Sequence, residues 1–441
     1  MAFGDMIFRL ALVLNLTGVF VFAAPLLGVS IADTSLVLLA INLLYLLYRW
    51  PSTARLLQIA WVLPWILFFL IWPVLSVVYA SEIDIRAIGL QLYYISLVLG
   101  AAVFTYVSGW ERFRRTVGVS IVITAVGLGL SLLNPAAFDV VGDLIKASTD
   151  YGGRAFGFFI WPNTLSANTI LMFIIWLAVG RPRLRVETAL TILVLLGMVG
   201  VTGSRGGFLT ALTVVGVFGF DQMRRGMARY HYTRAVRLFA GALFAALVIG
   251  AVVLSTQAVV NATSSSEAGT VISRLQFLAR GDIGQLIESD PSLGERFFAL
   301  QQHVALIGQR PWTGYGLGAA NRFWEAQEVL IPSHNSFVEL AVNFGIPYVI
   351  FLILLLSGLV RNGHRSSAEQ FLRSNVFAQF VLAIVLLGMA DNTVLYSRTL
   401  IVLLGGLLGL LARQAREETG LLHSVAAGTV GQAAAASADS R

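Results

Sequence analysis

The chain has 441 residues, of which 57% are hydrophobic and only 12% are charged, and its formal net charge is +7. A soluble domain usually carries about 25% charged residues, so this composition excludes a protein whose whole surface faces water. The absence of cysteine excludes disulfides, thiolate nucleophiles and cysteine metal sites. In such a chain, excess positive charge indicates cytoplasmic loops of a membrane protein rather than a nucleic-acid interface.

Apolar segments that could cross about 30 Å of hydrocarbon as helices recur along most of the chain. They are predicted, in chain order, at 10–29, 34–48, 58–80, 87–107, 117–134, 157–180, 187–203, 207–220, 238–259, 336–360, 375–391 and 398–413. We therefore predict an all-α polytopic membrane protein with about twelve transmembrane helices, nine within 1–259 and three within 334–413. Basic residues alternate between the loops in a way that places both termini in the cytoplasm. The small, polar segment 414–441 is predicted to be a disordered cytoplasmic tail.

The segment 260–333 is predicted to be one large, partly helical extracytoplasmic loop between the ninth and tenth spans. Asp290 and Pro291 form a helix start, with an N-cap residue before a proline at the first helical position. Apolar residues then recur at helical spacing, at Leu293, Phe297, Leu300, Val304 and Ile307. This pattern predicts an amphipathic helix over 291–309 that lies against the membrane or caps the bundle. Arg310 and Pro311 end it, and glycines at 314, 316 and 318 predict a tight turn.

Three arginines on the predicted outer side are candidates for binding phosphate. Arg205 stands between two apolar spans beside small glycines, where an arginine costs about 2.5–3.5 kcal/mol if it lies at the membrane centre. Its planar guanidinium can bind phosphate oxygens bidentately, and Arg154 and Arg296 could do the same. The alternatives are a side chain that reaches the lipid headgroups for Arg205 and Arg154, and an ordinary solvated helix face for Arg296.

His334 stands directly before the tenth predicted span and is a candidate general base. Amides at a helix start disfavour the imidazolium, and a neutral imidazole can accept a proton near pH 7. Glu339 lies inside the span, where a carboxylate needs a partner, and Asp391 lies near the outer end of span eleven. Either acid could orient the histidine or pair with an arginine. The alternatives are a capping or interfacial histidine and a structural buried pair.

Several common sequence motifs of catalysis and transport are absent. The chain has no Walker-type loop for ATP-driven transport and no Gly-x-Ser-x-Gly nucleophile motif. No dense cluster of histidine, aspartate and glutamate has the spacing of metal ligands. The sequence therefore predicts an activity without a metal or another cofactor.

Taken together, these motifs resemble those of the O-antigen ligase/polymerase superfamily of bacterial membrane glycosyltransferases. The resemblance is strongest over Thr202–Thr210 (TGSRGGFLT) and over the run from Arg296 to Pro347. That run contains the arginine helix, a Pro-x-x-Gly-x-Gly-x-Gly turn and the His-Asn start of the next helix, in this order. Arg154-Ala-Phe-Gly, followed by Trp161-Pro-Asn, is similar to an upstream motif of the family. The chain departs from the pattern at Asn343, where an acidic residue is expected, and at Phe297-Phe298, which lacks a tryptophan.

The resemblance implies transfer of a glycan from undecaprenyl pyrophosphate to an acceptor sugar hydroxyl at the periplasmic face of the bacterial inner membrane. Arg205 and Arg296 would hold the pyrophosphate, and His334 would take the proton from the acceptor. The substrate-binding candidates are Arg154, Arg310, Asn335, Glu339 and Asp391. The implied partners are the lipid-linked oligosaccharide, an acceptor glycan or the lipid A core, and the lipid bilayer, with no nucleic acid.

Two questions stay open at the level of sequence. The chain could be a ligase that attaches finished polysaccharide to the lipid A core, or a polymerase that joins lipid-linked repeat units. A multi-span secondary transporter or flippase of the same export pathway would also have both termini inside. Such transporters usually show repeated halves and a long cytoplasmic loop between spans six and seven, whereas the long loop here is late and predicted outside.

Overall fold

The computed structural model describes most of the predicted spans. The described residues are 3–59, 62–79, 85–136, 138, 140, 157–159, 161–177, 186–227, 291–325, 333–365, 370–391 and 394–417. No strand occurs within these ranges, so the prediction of an all-α protein is confirmed for them. The predicted ninth span at 238–259, Arg154 and most of the predicted tail lie outside the described residues.

The helices are numbered here in chain order. They are α1 (Phe3–Thr17), α2 (Val19–Leu26), α3 (Ile31–Tyr48), α4 (Trp50–Leu57), α5 (Leu63–Tyr79), α6 (Ile85–Ser108), α7 (Trp110–Leu133), α8 (Pro162–Leu177), α9 (Val186–Val201), α10 (Arg205–Met227), α11 (Pro291–Gln309), α12 (Ala319–Glu325), α13 (Ser336–Phe344), α14 (Ile346–Arg365), α15 (Gln370–Ala390) and α16 (Arg398–Glu417). A short 3-10 turn, Val394–Tyr396, joins α15 to α16.

Within the described residues, four helices are long and apolar enough to cross a membrane, and the number rises to six if each of two bent helix pairs counts as one span. The four are Ile88–Ser108, Trp110–Leu133, Ile346–Gly363 and Arg398–Glu417. Shorter apolar helices, including Pro162–Leu177 and Val376–Ala390, occupy other predicted spans. The fold of a helical membrane protein is thus confirmed, and the total of twelve spans stays a prediction.

The first two predicted spans are sharply bent rather than straight. The pair α1 and α2 bends by 89° at Gly18, and the pair α3 and α4 bends by 87° at Arg49. Gly18 has a φ of +68°, and a Cβ there would lie 2.9 Å from the carbonyl oxygen of Phe158, so glycine suits this corner. At the second corner, the guanidinium of Arg49 binds Asp5 of α1 with Nη2–Oδ2 at 2.6 Å, and Pro51 lies in the first turn of the next helix.

Helix α15 is the element that connects the two parts of the candidate site. It packs against α8, α10, α13 and α14. Its buried side chains are mostly apolar, as at Phe377, Phe380 and Ala383. The C-terminal end of α15 lies close to the starts of both α10 and α13.

Candidate active site

The structure has helix α11 over Pro291–Gln309, the same bounds as the predicted amphipathic helix. Its buried face differs from the predicted apolar set. Ala299 and His303 are buried, with exposed fractions of 0% and 1%, whereas Phe297 and Val304 are 47% and 53% exposed. Helix α11 therefore packs on α13 through a small residue and an imidazole, and turns its larger apolar side chains outward.

The glycine-rich turn after α11, residues 314–318, is held to α13 by backbone hydrogen bonds, and we call it the glycine latch. Gly314, Gly316 and Gly318 all have positive φ angles, as the sequence pattern predicts. The N–H groups of Tyr315 and Gly316 donate to the carbonyl oxygens of Val342 and Asn343 at 2.9 and 2.8 Å. The N–H of Leu317 donates to Ser76 Oγ of α5 at 3.2 Å. Because these amides already have partners, the turn fixes the end of α13 and does not offer them to a phosphate.

The predicted span at 336–360 is divided where this latch contacts it. Helix α13 ends at Phe344, Gly345 has a φ of +83°, and α14 begins at Ile346. The N–H of Ile346 donates to the carbonyl oxygen of Pro311 at 2.7 Å. A Cβ at Gly345 would lie 2.6 Å from the backbone of Trp312, so the close approach requires glycine. The latch thereby separates a short α13, which carries the candidate site, from the long α14.

Asn343, the departure from the expected acidic residue, has a structural role in the described fold. Its side-chain Oδ1 accepts a hydrogen bond from the N–H of Ala320 at 2.9 Å, in the first turn of α12. This contact needs an oxygen acceptor and not a negative charge. An asparagine can therefore make the contact that a carboxylate would make.

His334 has a φ of +51°, and it is the one non-glycine residue with a positive φ in the described parts of the chain. Histidine tolerates this left-handed conformation better than most residues, and such positions are concentrated at functional sites. Ser333 and Asn335 hold the backbone on either side, since Asn335 N–H donates to Ser333 Oγ at 3.2 Å and Ser333 Oγ donates to the Asn335 carbonyl at 3.0 Å. These hydrogen bonds fix the backbone from which the imidazole of His334 extends.

Asn335, a predicted substrate-binding residue, is the N-cap of α13. Its Oδ1 accepts hydrogen bonds from the N–H groups of Phe337 and Val338 at 3.0 and 3.2 Å. These bonds satisfy two amides at the helix start, as an N-cap asparagine commonly does. The side-chain oxygen is thus engaged in holding the helix start next to His334.

The start of α13 is tied to the end of α15 beside Asp391. Ser336 Oγ donates to the carbonyl oxygen of Asp391 at 2.6 Å, and both residues are buried. Burial and the positive charge of Arg296 lower the pKa of His334, with a smaller lowering from His303, whereas the carboxylates of Asp391 and Glu295 act in the raising direction. His334 is therefore in electrostatic range of these groups, and its lowered pKa favours the neutral form of the imidazole.

Arg205 begins α10 next to the same end of α15. Ser204 caps this helix, because its Oγ accepts from the N–H of Gly207 at 3.3 Å. A Cβ at Gly206 would lie 2.7 Å from the Cβ of Ala390, the residue before Asp391. The small glycine therefore lets the start of α10 approach α15. The backbone of Arg205 and the start of α13 consequently meet at one end of one helix.

The other predicted site residues divide into those near this meeting point and those away from it. Glu339 is buried in α13, one turn after Asn335, to whose carbonyl oxygen its N–H donates at 3.1 Å. Arg310 lies at the far end of α11, about 21 Å along the helix axis from Arg296, with its guanidinium 4.8 Å from the centre of the Tyr315 ring. Helix α11 therefore does not bring Arg310 to the Arg296 end.

Sequence reasoning overlooked two residues that the structure places at the site. Ser336 links α13 to α15, and the signal for it was only a serine at the first position of the predicted span. Glu295 acts on His334 with a sign opposite to that of its neighbour Arg296. Helical spacing alone does not tell which neighbouring helix a charge faces, so the sequence does not assign Glu295 to the site.

Part of the chain matches a known protein family. The O-antigen ligase family matches residues 189–353, a range that begins in α9 and ends within α14. It includes Arg205, Arg296 and His334 but not Arg154 or Asp391. No curated protein matches the chain.

Proposed function

We propose that this membrane protein transfers glycan from undecaprenyl pyrophosphate to an acceptor sugar hydroxyl, because the O-antigen ligase family matches residues 189–353 and supports membership of the O-antigen ligase/polymerase superfamily. The reaction would take place at the periplasmic face of the bacterial inner membrane, with both termini in the cytoplasm. The alternative of a transporter has no support from the family match.

The observation that supports this proposal is that the starts of α10 and α13 both contact the end of α15. The start of α10, where Arg205 stands, approaches Ala390. The start of α13, which follows His334, is bonded to Asp391. Arg296 on α11 acts electrostatically on His334. A neutral imidazole at His334, with Arg296 in electrostatic range and Arg205 at the start of α10, would suit the binding of a diphosphate beside a hydroxyl that must lose its proton.

In the proposed mechanism, His334 acts as the general base. Its neutral imidazole takes the proton of the acceptor hydroxyl as the hydroxyl oxygen forms a bond to the anomeric carbon of the donor sugar. The bond from that carbon to the pyrophosphate oxygen breaks, and the bonding electron pair leaves with the pyrophosphate. Arg205 and Arg296 stabilise the negative charge that develops there. Asp391 then stabilises the imidazolium, which agrees with the direction of its effect on the pKa of His334.

The direct test is an assay with the purified protein and a lipid-linked oligosaccharide. We expect a new glycosidic bond on the acceptor together with release of undecaprenyl pyrophosphate, with and without a metal chelator. Both products are measured, because hydrolysis alone would release the pyrophosphate without joining sugars. Movement of intact lipid-linked glycan across vesicles without bond cleavage would contradict the proposal and favour a flippase.

The choice between ligase and polymerase is tested by deletion of the gene and analysis of surface glycans. Loss of long chains, with single repeat units still attached, is expected for a polymerase. Accumulation of finished lipid-linked polymer that is not attached is expected for a ligase. Neither pattern would be produced by loss of a protein outside glycan assembly.

The pH dependence of the reaction provides a first prediction. The pKa of His334 lies below its ordinary value of 6.5, so kcat/KM should fall to half of its plateau value only at a pH below 6.5, as the base becomes protonated. Asp391→Asn removes a charge that raises this pKa, so the acidic decline should move to lower pH. Arg296→Gln removes a charge that lowers it, so the decline should move to higher pH. The profiles are measured from initial transfer rates, using the residual rate of each variant.

Arg322→Gln is the matched control for the loss of an arginine charge. Arg322 is engaged with the carbonyl oxygen of Leu317 through Nη1 at 2.9 Å, and it is not among the groups that shift the pKa of His334. The acidic decline of kcat/KM in Arg322→Gln should coincide with that of the unchanged protein. Reaction of His334 with diethyl pyrocarbonate, which modifies neutral imidazole, gives the same pKa without relying on turnover. Shifts of Asp391→Asn and Arg296→Gln in one common direction would contradict the assignment.

A further inference from the structure

Helix α11 and the turn after it expose a row of large apolar side chains, which we call the α11 outer face. It consists of Phe297, Phe298, Val304 and Trp312, with exposed fractions of 47%, 46%, 53% and 75%. Phe297 and Val304 are seven residues apart and therefore lie on one side of the helix. The opposite side, with Ala299 and His303, is the buried one. The outer face is thus the side of α11 turned away from α13.

The α11 outer face lacks the charges that a water-facing helix normally carries. From Phe297 to Gln309 the sequence FFALQQHVALIGQ contains no aspartate, glutamate, lysine or arginine. A helix on the surface of a soluble protein carries charged or polar residues opposite its buried stripe. The exposed polar side chains of this segment, Gln301 and Gln309, are both uncharged. The composition of this face therefore fits an apolar surrounding better than water.

The α11 outer face is continuous with the lipid-facing surface of a membrane span. Pro311, next to Trp312, accepts the hydrogen bond from Ile346 N–H that joins the turn to the start of α14. Along α14, a candidate span, Ile346, Ile350 and Leu354 are 42%, 52% and 63% exposed. Exposed aliphatic side chains on a span face hydrocarbon. Trp312 thus extends this hydrocarbon-facing row toward α11.

The residues around Trp312 have the chemistry of a membrane interface. Tryptophan is enriched where hydrocarbon meets the headgroups, because its ring is apolar and its N–H is polar. Arg310 is exposed two residues earlier, and an arginine at this depth can reach headgroup phosphates. We propose that the α11 outer face is seated in the outer leaflet of the bilayer, with Trp312 and Arg310 at the level of the headgroups.

This seating would set the depth of the candidate site. Arg296 lies in the second turn of α11, seven residues before buried His303 and therefore on the same side of the helix as His303. A helix held at the interface therefore holds Arg296, and His334 beside it, at the level of lipid phosphates. The consequence for catalysis rests on the proposed function, since a lipid-linked diphosphate lies at that level. The seating itself does not depend on any activity.

The natural absence of cysteine allows a clean test with single-cysteine variants. Val304→Cys and Trp312→Cys are labelled with a bimane fluorophore in the full chain, reconstituted in phosphatidylethanolamine and phosphatidylglycerol vesicles. Ile350→Cys on α14 is the lipid-facing control, and Glu295→Cys, at an exposed charged position, is the water-facing control. Quenching is measured with nitroxide-labelled lipids and, separately, with aqueous iodide.

We expect the labels at 304 and 312 to lose more fluorescence to nitroxides near the headgroups than to iodide. The label at 350 should respond most to nitroxides deep in the acyl chains, and the label at 295 should respond most to iodide. Strong iodide quenching at 304 and 312 would overturn the seating and leave the face in water, where an acceptor glycan could bind it. Resistance to both quenchers would overturn it in favour of cover by another part of the protein. A failure of glycan transfer with intact lipid quenching would refute the proposed function alone.

Discussion

Replacing His334 with asparagine is expected to lower the rate of glycan transfer by about 10²–10⁴-fold, the range typical of a lost general base, while the melting temperature stays unchanged. The reason for choosing asparagine is the φ of +51° at this position, which asparagine adopts more readily than most residues. The substitution therefore removes the imidazole without adding backbone strain. Initial transfer rates and thermal unfolding in detergent are measured on the same preparation.

Two further variants separate the chemistry of His334 from its backbone. His334→Gly accepts the positive φ even more freely, so it should also fold and also lose turnover. His334→Val has a β-branched side chain that strongly disfavours this region, so it should lower the melting temperature as well as the rate. If the asparagine and glycine variants keep the rate of the unchanged protein, His334 is not the base, whatever the valine variant does.

The sequence was informative about which residues matter and less informative about their geometry. The sequence singled out Arg296, the glycine turn and His334, and in the structure the turn is hydrogen-bonded to α13 while Arg296 acts electrostatically on His334. The left-handed conformation of His334 could not be predicted, because nothing in Pro-Ser-His-Asn-Ser distinguishes it from an extended residue. It arises from the paired hydrogen bonds of Ser333 and Asn335, which depend on the local fold.

The glycine turn shows that a motif can be located from the sequence while its contacts with other helices stay unpredicted. Spacing alone predicted a tight turn, and the positive φ angles agree with it. That its amides bind α13, rather than solvent or a phosphate, follows from contacts with residues more than 25 positions later, such as Val342. Such long-range pairing has no period in the sequence. The break at Gly345 was missed for the same reason, because the hydropathy of 336–360 is continuous across it.

The bends of the first helices illustrate a second limit of sequence reasoning. Hydropathy reports that a segment is apolar and does not report its direction in the membrane. The corner at Arg49 depends on Asp5, which lies 44 positions earlier and is almost fully buried. The sequence offered Trp50-Pro51 as a local sign of a helix start. The ion pair that fixes the corner becomes visible only when α1 and α3 are placed side by side.

The glycine latch and the corner at Gly345 depend on close backbone contacts that leave no room for a side chain. Gly314→Ala and Gly345→Ala should each lower the free energy of unfolding by roughly 2–4 kcal/mol, since each adds left-handed strain and a backbone clash. A Cβ at Gly314 would lie 2.5 Å from the backbone of Asn343, and one at Gly345 would lie 2.6 Å from that of Trp312. Backbone atoms cannot move aside as a flexible side chain can. Thermal unfolding in detergent measures the loss.

Gly308→Ala is the matched control, because it makes the same chemical change on α11 where no atom lies within 4 Å of the added Cβ. Alanine favours a helix over glycine by about 0.5–1 kcal/mol, so this variant should be as stable as the unchanged protein or slightly more so. The latch variants should also lose glycan transfer, because the latch sets the end of α13 and so the position of His334 at its start. Full transfer with reduced stability in Gly314→Ala would show that α13 is positioned by α15 through Ser336 and not by the turn.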